Sequence, residues 1–179
     1  MRDLKYLFAY SIPLSTFLSI YFLGVYSYGA VFYAFLVIPV LEVFISNPSR
    51  VYSEEEKSSR LSNILFDVML FGNLPLVFGL LGYGFYVISS GNLTTLETVG
   101  IILSLGILLA TNGINVAHEL GHRKTKIEQT MSKVLLIPCL YMHFYLEHNF
   151  GHHKNVATPE DPATSKYNQA VYFFWFTSV

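Results

Sequence analysis

The chain has 179 residues, of which 53% are hydrophobic and 16% aromatic, and only 13% are charged, about half the ~25% usual for a soluble domain. Its mean hydropathy is positive, which points to a membrane protein, and a net charge of −1 argues against nucleic acid or another polyanion as partner. One cysteine, Cys139, excludes an intrachain disulfide, a four-cysteine metal site and an internal rubredoxin-type iron centre, and leaves that residue the role of a small buried apolar side chain.

Arg2 and Lys5 precede an apolar run over 6–26. It is too long for a signal-peptide core and long enough, at about 20 residues, to cross a bilayer. A second apolar run, AVFYAFLVIPVLEVFI at 30–45, carries Glu42 near its end, and only SYG at 27–29 separates the two. A tight helical hairpin is expected there. The polar stretch NPSRVYSEEEKSSR at 47–60 reads as a solvated connector, with Asn47-Pro48 ending the second helix. A third run at 64–88 has Asp67 near its start and Pro75 in its middle; a fourth, TVGIILSLGILLATNGINVA, covers 98–117. Pro39 and Pro75 are tolerable because neighbouring groups in a membrane bundle satisfy the freed carbonyls.

The basic residues orient this threading. With the N-terminus inside, the inside segments are 1–5, 46–63 and everything after about 118, and the outside segments are 27–29 and 89–97. All eleven lysines and arginines fall inside, as the positive-inside rule requires. The next apolar stretch, 134–148, is too short to span and must lie at the interface or dip into it. A polar loop, KNVATPEDPATSKYNQ, follows, and the chain ends in AVYFFWFTSV, which reads as the start of a fifth span in a C-terminally truncated sequence. The expected fold is an all-α integral membrane helical bundle: four complete spans, an interfacial helix and the start of a fifth span, in a single domain over 1–179.

All six histidines lie between 118 and 153. His118 and His122, in HELGH, sit four apart on one helical face. His148 and His152, in EHNFGHH, repeat that spacing, and His153 lies about 100° further round. HELGH also fits the H-E-x-x-H zinc-protease pattern, in which Glu119 would be the base. That reading has no use for a second histidine box at the same cytoplasmic mouth. A structural zinc site closes with four ligands, commonly including cysteine. More than four imidazoles in one place suggest two metals, and all-nitrogen coordination suits iron while also fitting copper, zinc and nickel. A non-enzymatic membrane protein with its histidines as interface anchors is the other alternative.

Thr111, Asn115, His118 and His122, spaced 4, 3 and 4, are expected to form one stripe along the fourth helix, and intramembrane polar residues of this kind face a bundle interior. Asn115 is a candidate to orient a ligand imidazole. Glu119 and Glu147 each adjoin a histidine and are candidate acceptors for ligand N–H groups, with direct metal ligation as the alternative. His143, on another face, is a candidate pocket-lining or supporting residue, and Asp161, in TPEDP, closes a loop over the site or makes a plain turn.

The segments NVAHELGHRK and HFYLEHNFGHHKNVATPEDPATS closely resemble the membrane-bound alkane 1-monooxygenase (alkane hydroxylase) family, within the wider histidine-box group of membrane desaturases and hydroxylases. The likeness is dense over 112–165, with a weaker echo in VIPVLE and NPS at 38–49. It implies a six-helix membrane bundle and a non-haem centre of two iron atoms, with His118, His122, His148, His152 and His153 as ligands. The implied reaction inserts one oxygen atom of O2 into the terminal C–H bond of an alkane, fed by rubredoxin and its NAD(P)H-dependent reductase. Related chemistry on methyl-aromatics or fatty acyl chains is the neighbouring alternative. Two departures stand out: Phe150 occupies a position where the family often has arginine, and the family's third histidine box is absent. The fragment 1–179 alone is therefore expected to bind iron weakly and to lack hydroxylase activity.

Overall fold

The computed structural model describes residues 4–45, 53 and 63–178; the expected connector at 47–60 lies, Ser53 apart, outside them. Among the described residues all regular structure is helical. The chain forms two compact units, Met1–Val116 and Ala117–Val179.

In the first unit a 3₁₀ run, Leu4–Tyr10, leads into helix α1, Ser11–Phe22. Leu23 and Gly24 take φ of +55° and +54° and reverse the chain into α2, Gly24–Phe44. This second helix begins as a 3₁₀ turn, passes through a π turn at Tyr33–Val37 and ends as Ile38–Phe44, with its proline in the first turn of that last stretch. Helix α3, Ile64–Ser89, starts where Asn63 Oδ1 accepts from the Leu65 N–H at 3.0 Å, satisfying an otherwise orphaned donor. Helix α4, Thr95–Gly121, opens on a capping box between Thr94 and Glu97 and carries a π turn at Leu109–Ile114.

Helices α2, α3 and α4 are each long and apolar enough to cross a membrane. The expected first span at 6–26 does not form as one piece: the break at Leu23 leaves an apolar helix, Tyr6–Phe22, below spanning length. The reversal also falls earlier than the expected 27–29, which lies inside α2. Its physical basis is the left-handed backbone at Gly24, whose N–H donates to Glu97 Oε1 at 2.9 Å. The uniform stripe expected through Thr111 also fails, because the π turn interrupts the α period; Thr111 instead donates to Ile107 O and Asn112 Oδ1.

Helices α1, α3 and α4 each bury one narrow stripe, largely at spacings of three and four. α1 contributes Ile12, Thr16, Ser19 and Ile20; α3 contributes Met69, Asn73, Val77, Leu81 and Gly84; α4 contributes Gly100, Ile101, Ser104, Leu105 and Leu108. Large apolar groups such as Phe35 and Tyr86 face outward, the pattern of helices solvated by lipid. Where lipid removes the hydrophobic drive, close packing and interhelical hydrogen bonds must hold helices together. Gly100 shows the first: a Cβ there would lie 2.1 Å from Ser27 Oγ and 2.9 Å from the Ser27 carbonyl carbon. The second runs through the buried stripe. Ser104 Oγ donates to Ser27 O at 2.7 Å, Asn112 Nδ2 donates to Asn73 Oδ1 at 2.8 Å, and Asn73 Nδ2 donates to Met69 O, which also accepts from the Tyr10 hydroxyl.

The second unit starts with the last residues of α4. Helix α5, Lys126–Leu136, opens on a capping box between Thr125 and Glu128 and buries Ser132, Leu135 and Leu136. Turns occupy 137–143, and a helical run at 144–155, here α6, contains a π turn, Glu147–His152. A loop leads to α7, Val171–Thr177. The interfacial helix expected over 134–148 is thus two helix ends joined by turns. Pro138 lacks the N–H a continuing helix needs and disfavours helical backbone at Ile137, and Leu140 takes φ of +53°. Leu120, Leu135 and Leu136 are fully buried and Tyr145 nearly so.

Candidate metal centre

Both histidine boxes belong to the second unit. His118 comes from the last turn of α4, which Ser132 secures by donating to the Ala117 carbonyl at 2.6 Å, and His122 follows the helix end at Gly121 by one residue. Gly121, between them in sequence, lets α5 and α6 come close: a Cβ there would lie 3.2 Å from Ser132 Oγ and 3.4 Å from the Tyr145 ring. That space permits the second box to reach the first.

His118, His122, His148 and His153 present one nitrogen each, all within 4.8 Å of one another. The Nε2 of His122 lies 2.8 Å from that of His118 and 3.3 Å from those of His148 and His153; His148 and His153 are 3.0 Å apart. An imidazole nitrogen carries at most one proton, so His122 cannot satisfy three neighbouring nitrogens by hydrogen bonding. A cation among the four nitrogens would satisfy lone pairs that hydrogen bonding cannot. Metal–nitrogen bonds of about 2.0–2.1 Å set ligand nitrogens on the order of 3 Å apart, close to the four separations of 2.8–3.3 Å. The donor set therefore fits a metal ion.

His148 and His152 do lie side by side, as their shared face requires, but His152 is not one of the four grouped nitrogens. The π turn through Glu147–His152 widens the helix by one residue per hydrogen bond, and His153, five residues on, joins His148. The rings of His148 and His152 stack at 5.5 Å, but His152 directs Nδ1 to Asp161 Oδ2 at 2.8 Å. Asp161, only 4% exposed, also accepts from the Thr164 hydroxyl and from the Ala163 N–H. The Thr164 hydroxyl and the other donors hold its carboxyl below the usual carboxylate range, against the opposing effect of burial. A carboxylate on Nδ1 fixes the tautomer that leaves Nε2 as a free ligand atom. So the loop-closing role considered for Asp161 coincides with holding His152.

His148 is pushed down to about 4, first by desolvation and then by the neighbouring His118, His153, His122 and His152. It stays neutral at physiological pH, the form that binds metal. The remaining candidates stand apart from the four nitrogens. Glu119 pairs with Arg123 at 3.4 Å; Glu147 and His143 face each other at 3.9 Å and are exposed; Asn115 is exposed and has no hydrogen bond to a histidine among the described residues. Cys139 donates to Leu135 O, and burial pushes its thiol up, as a packing residue. Two contributors went unforeseen. Thr164 was legible only as a hydroxyl three residues after an aspartate in a turn-rich stretch. Phe144, four before His148, stacks on that imidazole at 4.9 Å and 19°.

A family model described as fatty acid desaturase matches residues 94–179. The alkane 1-monooxygenase of Acinetobacter baylyi is 31% identical over 153 residues, covering 84% of this chain and 37% of the relative. The alkane 1-monooxygenase of Ectopseudomonas oleovorans is 36% identical over 135 residues, 74% of this chain and 32% of the relative. A xylene/toluene monooxygenase hydroxylase component of Pseudomonas putida is 27% identical over 133 residues, 69% and 34%. The chain thus spans about a third of the length of the relatives it matches. The matched region takes in both histidine boxes, and with the likeness to alkane 1-monooxygenases along most of the sequence, the chain fits the histidine-box superfamily of membrane desaturases and hydroxylases.

Proposed function

We propose that the whole protein is a membrane non-haem iron monooxygenase that hydroxylates medium- or long-chain alkanes at a terminal carbon. The observation that carries this reading is the grouping of one nitrogen each from His118, His122, His148 and His153 within 4.8 Å of one another, in a chain similar to alkane 1-monooxygenases. His152, with Asp161 on its other nitrogen, would supply a fifth imidazole, and two iron atoms are the count five or more such ligands suit. Bound iron would supply the activation of O2 and the oxidation of an unreactive C–H bond.

The protein's part is to hold these rings neutral and in place. Ser132 fixes the turn carrying His118, Phe144 packs against the His148 ring, and Asp161 keeps the proton of His152 on Nδ1. Electrons would come from rubredoxin and its NAD(P)H-dependent reductase, at a site on the cytoplasmic side of the bacterial inner membrane, where the positive-inside rule sets both boxes. Glu119, engaged with Arg123, is poorly disposed to serve as the base of a zinc protease. The likeness to the xylene/toluene component and the desaturase match keep methyl-aromatic and acyl substrates as the second reading.

The test is the whole protein in nanodiscs, loaded with iron and supplied with rubredoxin, reductase, NADH and ¹⁸O₂, offered dodecane, a xylene or an acyl substrate. The expected result is 1-dodecanol carrying one ¹⁸O. Labelled product from the xylene or acyl substrate alone would move the assignment to the second reading, and unlabelled substrate throughout would overturn it.

A further inference from the structure

The rings of the second unit form a continuous stack that metal binding does not require. Tyr141 stacks on Phe144 at 5.2 Å and 30°, Phe144 on His148 at 4.9 Å and 19°, and His148 on His152 at 5.5 Å and 22°. A half-buried phenol is thereby linked, ring face to ring face, to an imidazole of the four-nitrogen group. Aromatic stripes at helical spacing often serve packing alone, yet this one has an oxidisable ring at its outer end and a candidate ligand at its inner end. The neighbouring tyrosine is disfavoured for the same service. Tyr145 is nearly buried, its ring contact is with Phe150, and Lys133 Nζ lies 4.5 Å over its ring. A cation on a ring face is attracted to the ring's electrons and makes their removal harder.

We propose that Tyr141 is a redox-active tyrosine that gives an electron to the oxidised metal centre through Phe144 and His148 when no substrate is present to be oxidised. This rests on the O2-activating function proposed above. In the step the Tyr141 O–H bond breaks. One electron passes along the stack and reduces the centre by one equivalent, the proton passes to water, and a neutral tyrosyl radical remains. A soluble thiol or ascorbate then returns one electron and one proton to the phenol. The stack thus drains oxidising power that would otherwise attack the histidines.

The experiment exposes the iron-loaded, reduced whole protein to O2 without substrate, freezes it at intervals and records the electron paramagnetic resonance spectrum. Ring-deuterated tyrosine identifies a tyrosyl signal by its narrowed splitting. The expected result is a tyrosyl radical in the parent that falls at least tenfold in Tyr141→Phe, which keeps the ring stack, and several-fold in Phe144→Leu, while Tyr145→Phe leaves it unchanged. Loss of histidine by oxidation, read by mass spectrometry, should rise several-fold in Tyr141→Phe. Alcohol formation from dodecane is measured in parallel. Alcohol without any tyrosyl radical, or a radical that survives Tyr141→Phe or disappears in Tyr145→Phe, overturns the proposal and leaves the hydroxylase assignment intact. Neither alcohol nor radical sinks both.

Discussion

Replacing Asp161 by asparagine is the sharpest probe of the candidate site, because it preserves shape and changes only which atoms donate. In the native protein Oδ2 accepts from His152 Nδ1 and from Thr164, and Oδ1 accepts from the Ala163 N–H. An amide cannot reproduce all three. With its NH₂ at the Oδ2 position it donates to His152, so Nδ1 must become an acceptor and the ring proton moves to Nε2, the atom needed for a metal. Flipped the other way, it sets two donors, its NH₂ and the Ala163 N–H, against each other. Either arrangement loses at least one charge-assisted hydrogen bond. Supporting carboxylates of this kind are worth about 10- to 100-fold in metal affinity, so Asp161→Asn should weaken Fe(II) or Co(II) binding by that factor in calorimetric titration of the whole protein. The loop at 157–164 should also become easier to cleave with protease. Unchanged metal affinity together with a loosened loop would refute the role of His152 as a ligand and reduce Asp161 to a turn anchor. The carboxyl is held below its ordinary value in the folded state, so its contribution is present above the unfolded value of about 3.9 and is lost as pH falls through the lower folded value. The parent loop should therefore stay protected at pH 5 and open only below the usual carboxylate range.

Further outcomes follow from the same geometry. His122→Ala removes the nitrogen nearest three others and should reduce bound metal to below about a tenth of parent by elemental analysis, whereas His143→Ala should leave it unchanged, since removing any ligand outranks losing a supporting group. In metal-free protein His148 stays neutral down to about 4 but protonates near 6.5 once unfolded, so stability should fall as pH drops from about 6.5 toward 4; a flat profile over that window, measured by denaturation in bicelles, would contradict the desolvated cluster. Gly100→Ala must push the Ser27 backbone away, and overpacking of this kind costs about 1–3 kcal/mol, read as a lowered unfolding midpoint. Asn73→Leu and Asn112→Leu should each destabilise while the double variant costs less than their sum, with a coupling of about 0.6–1.7 kcal/mol, the range of interhelical hydrogen bonds in membranes.

Much of this was legible in the sequence because membrane helices and histidine boxes are written in local patterns. The apolar runs gave the all-helical class, and the spacing of His118 with His122 and of His148 with His152, followed by His153, pointed to a metal group, of which four histidines come together. What escaped was whatever depends on departures from uniform helix. The π turns at 109–114 and 147–152 leave no period signature, so Thr111 does not join the expected stripe, and of the two expected ligands His152 and His153 only His153 reaches the four-nitrogen group. The break at Leu23 was hidden because leucine is a poor flag for left-handed backbone; only the adjacent Gly24 hinted at it, and its stabilising partner, Glu97, lies 73 residues downstream. The partnership of Asp161 with His152 spans nine residues and needed the loop's actual path.

That distant partnership of Gly24 and Glu97 has a consequence for how the protein is made. Glu97 accepts from Thr94 N and Oγ1 with one oxygen and from Gly24 N with the other, so one side chain caps the start of α4 and closes the turn between α1 and α2. During synthesis at about 5–20 residues per second, the hairpin of α1 and α2 exists for several seconds with that backbone N–H facing water at the membrane surface. Only the arrival of α4 seals it. The first hairpin is in this sense left on a latch, and the helix that carries His118 is the one that locks it.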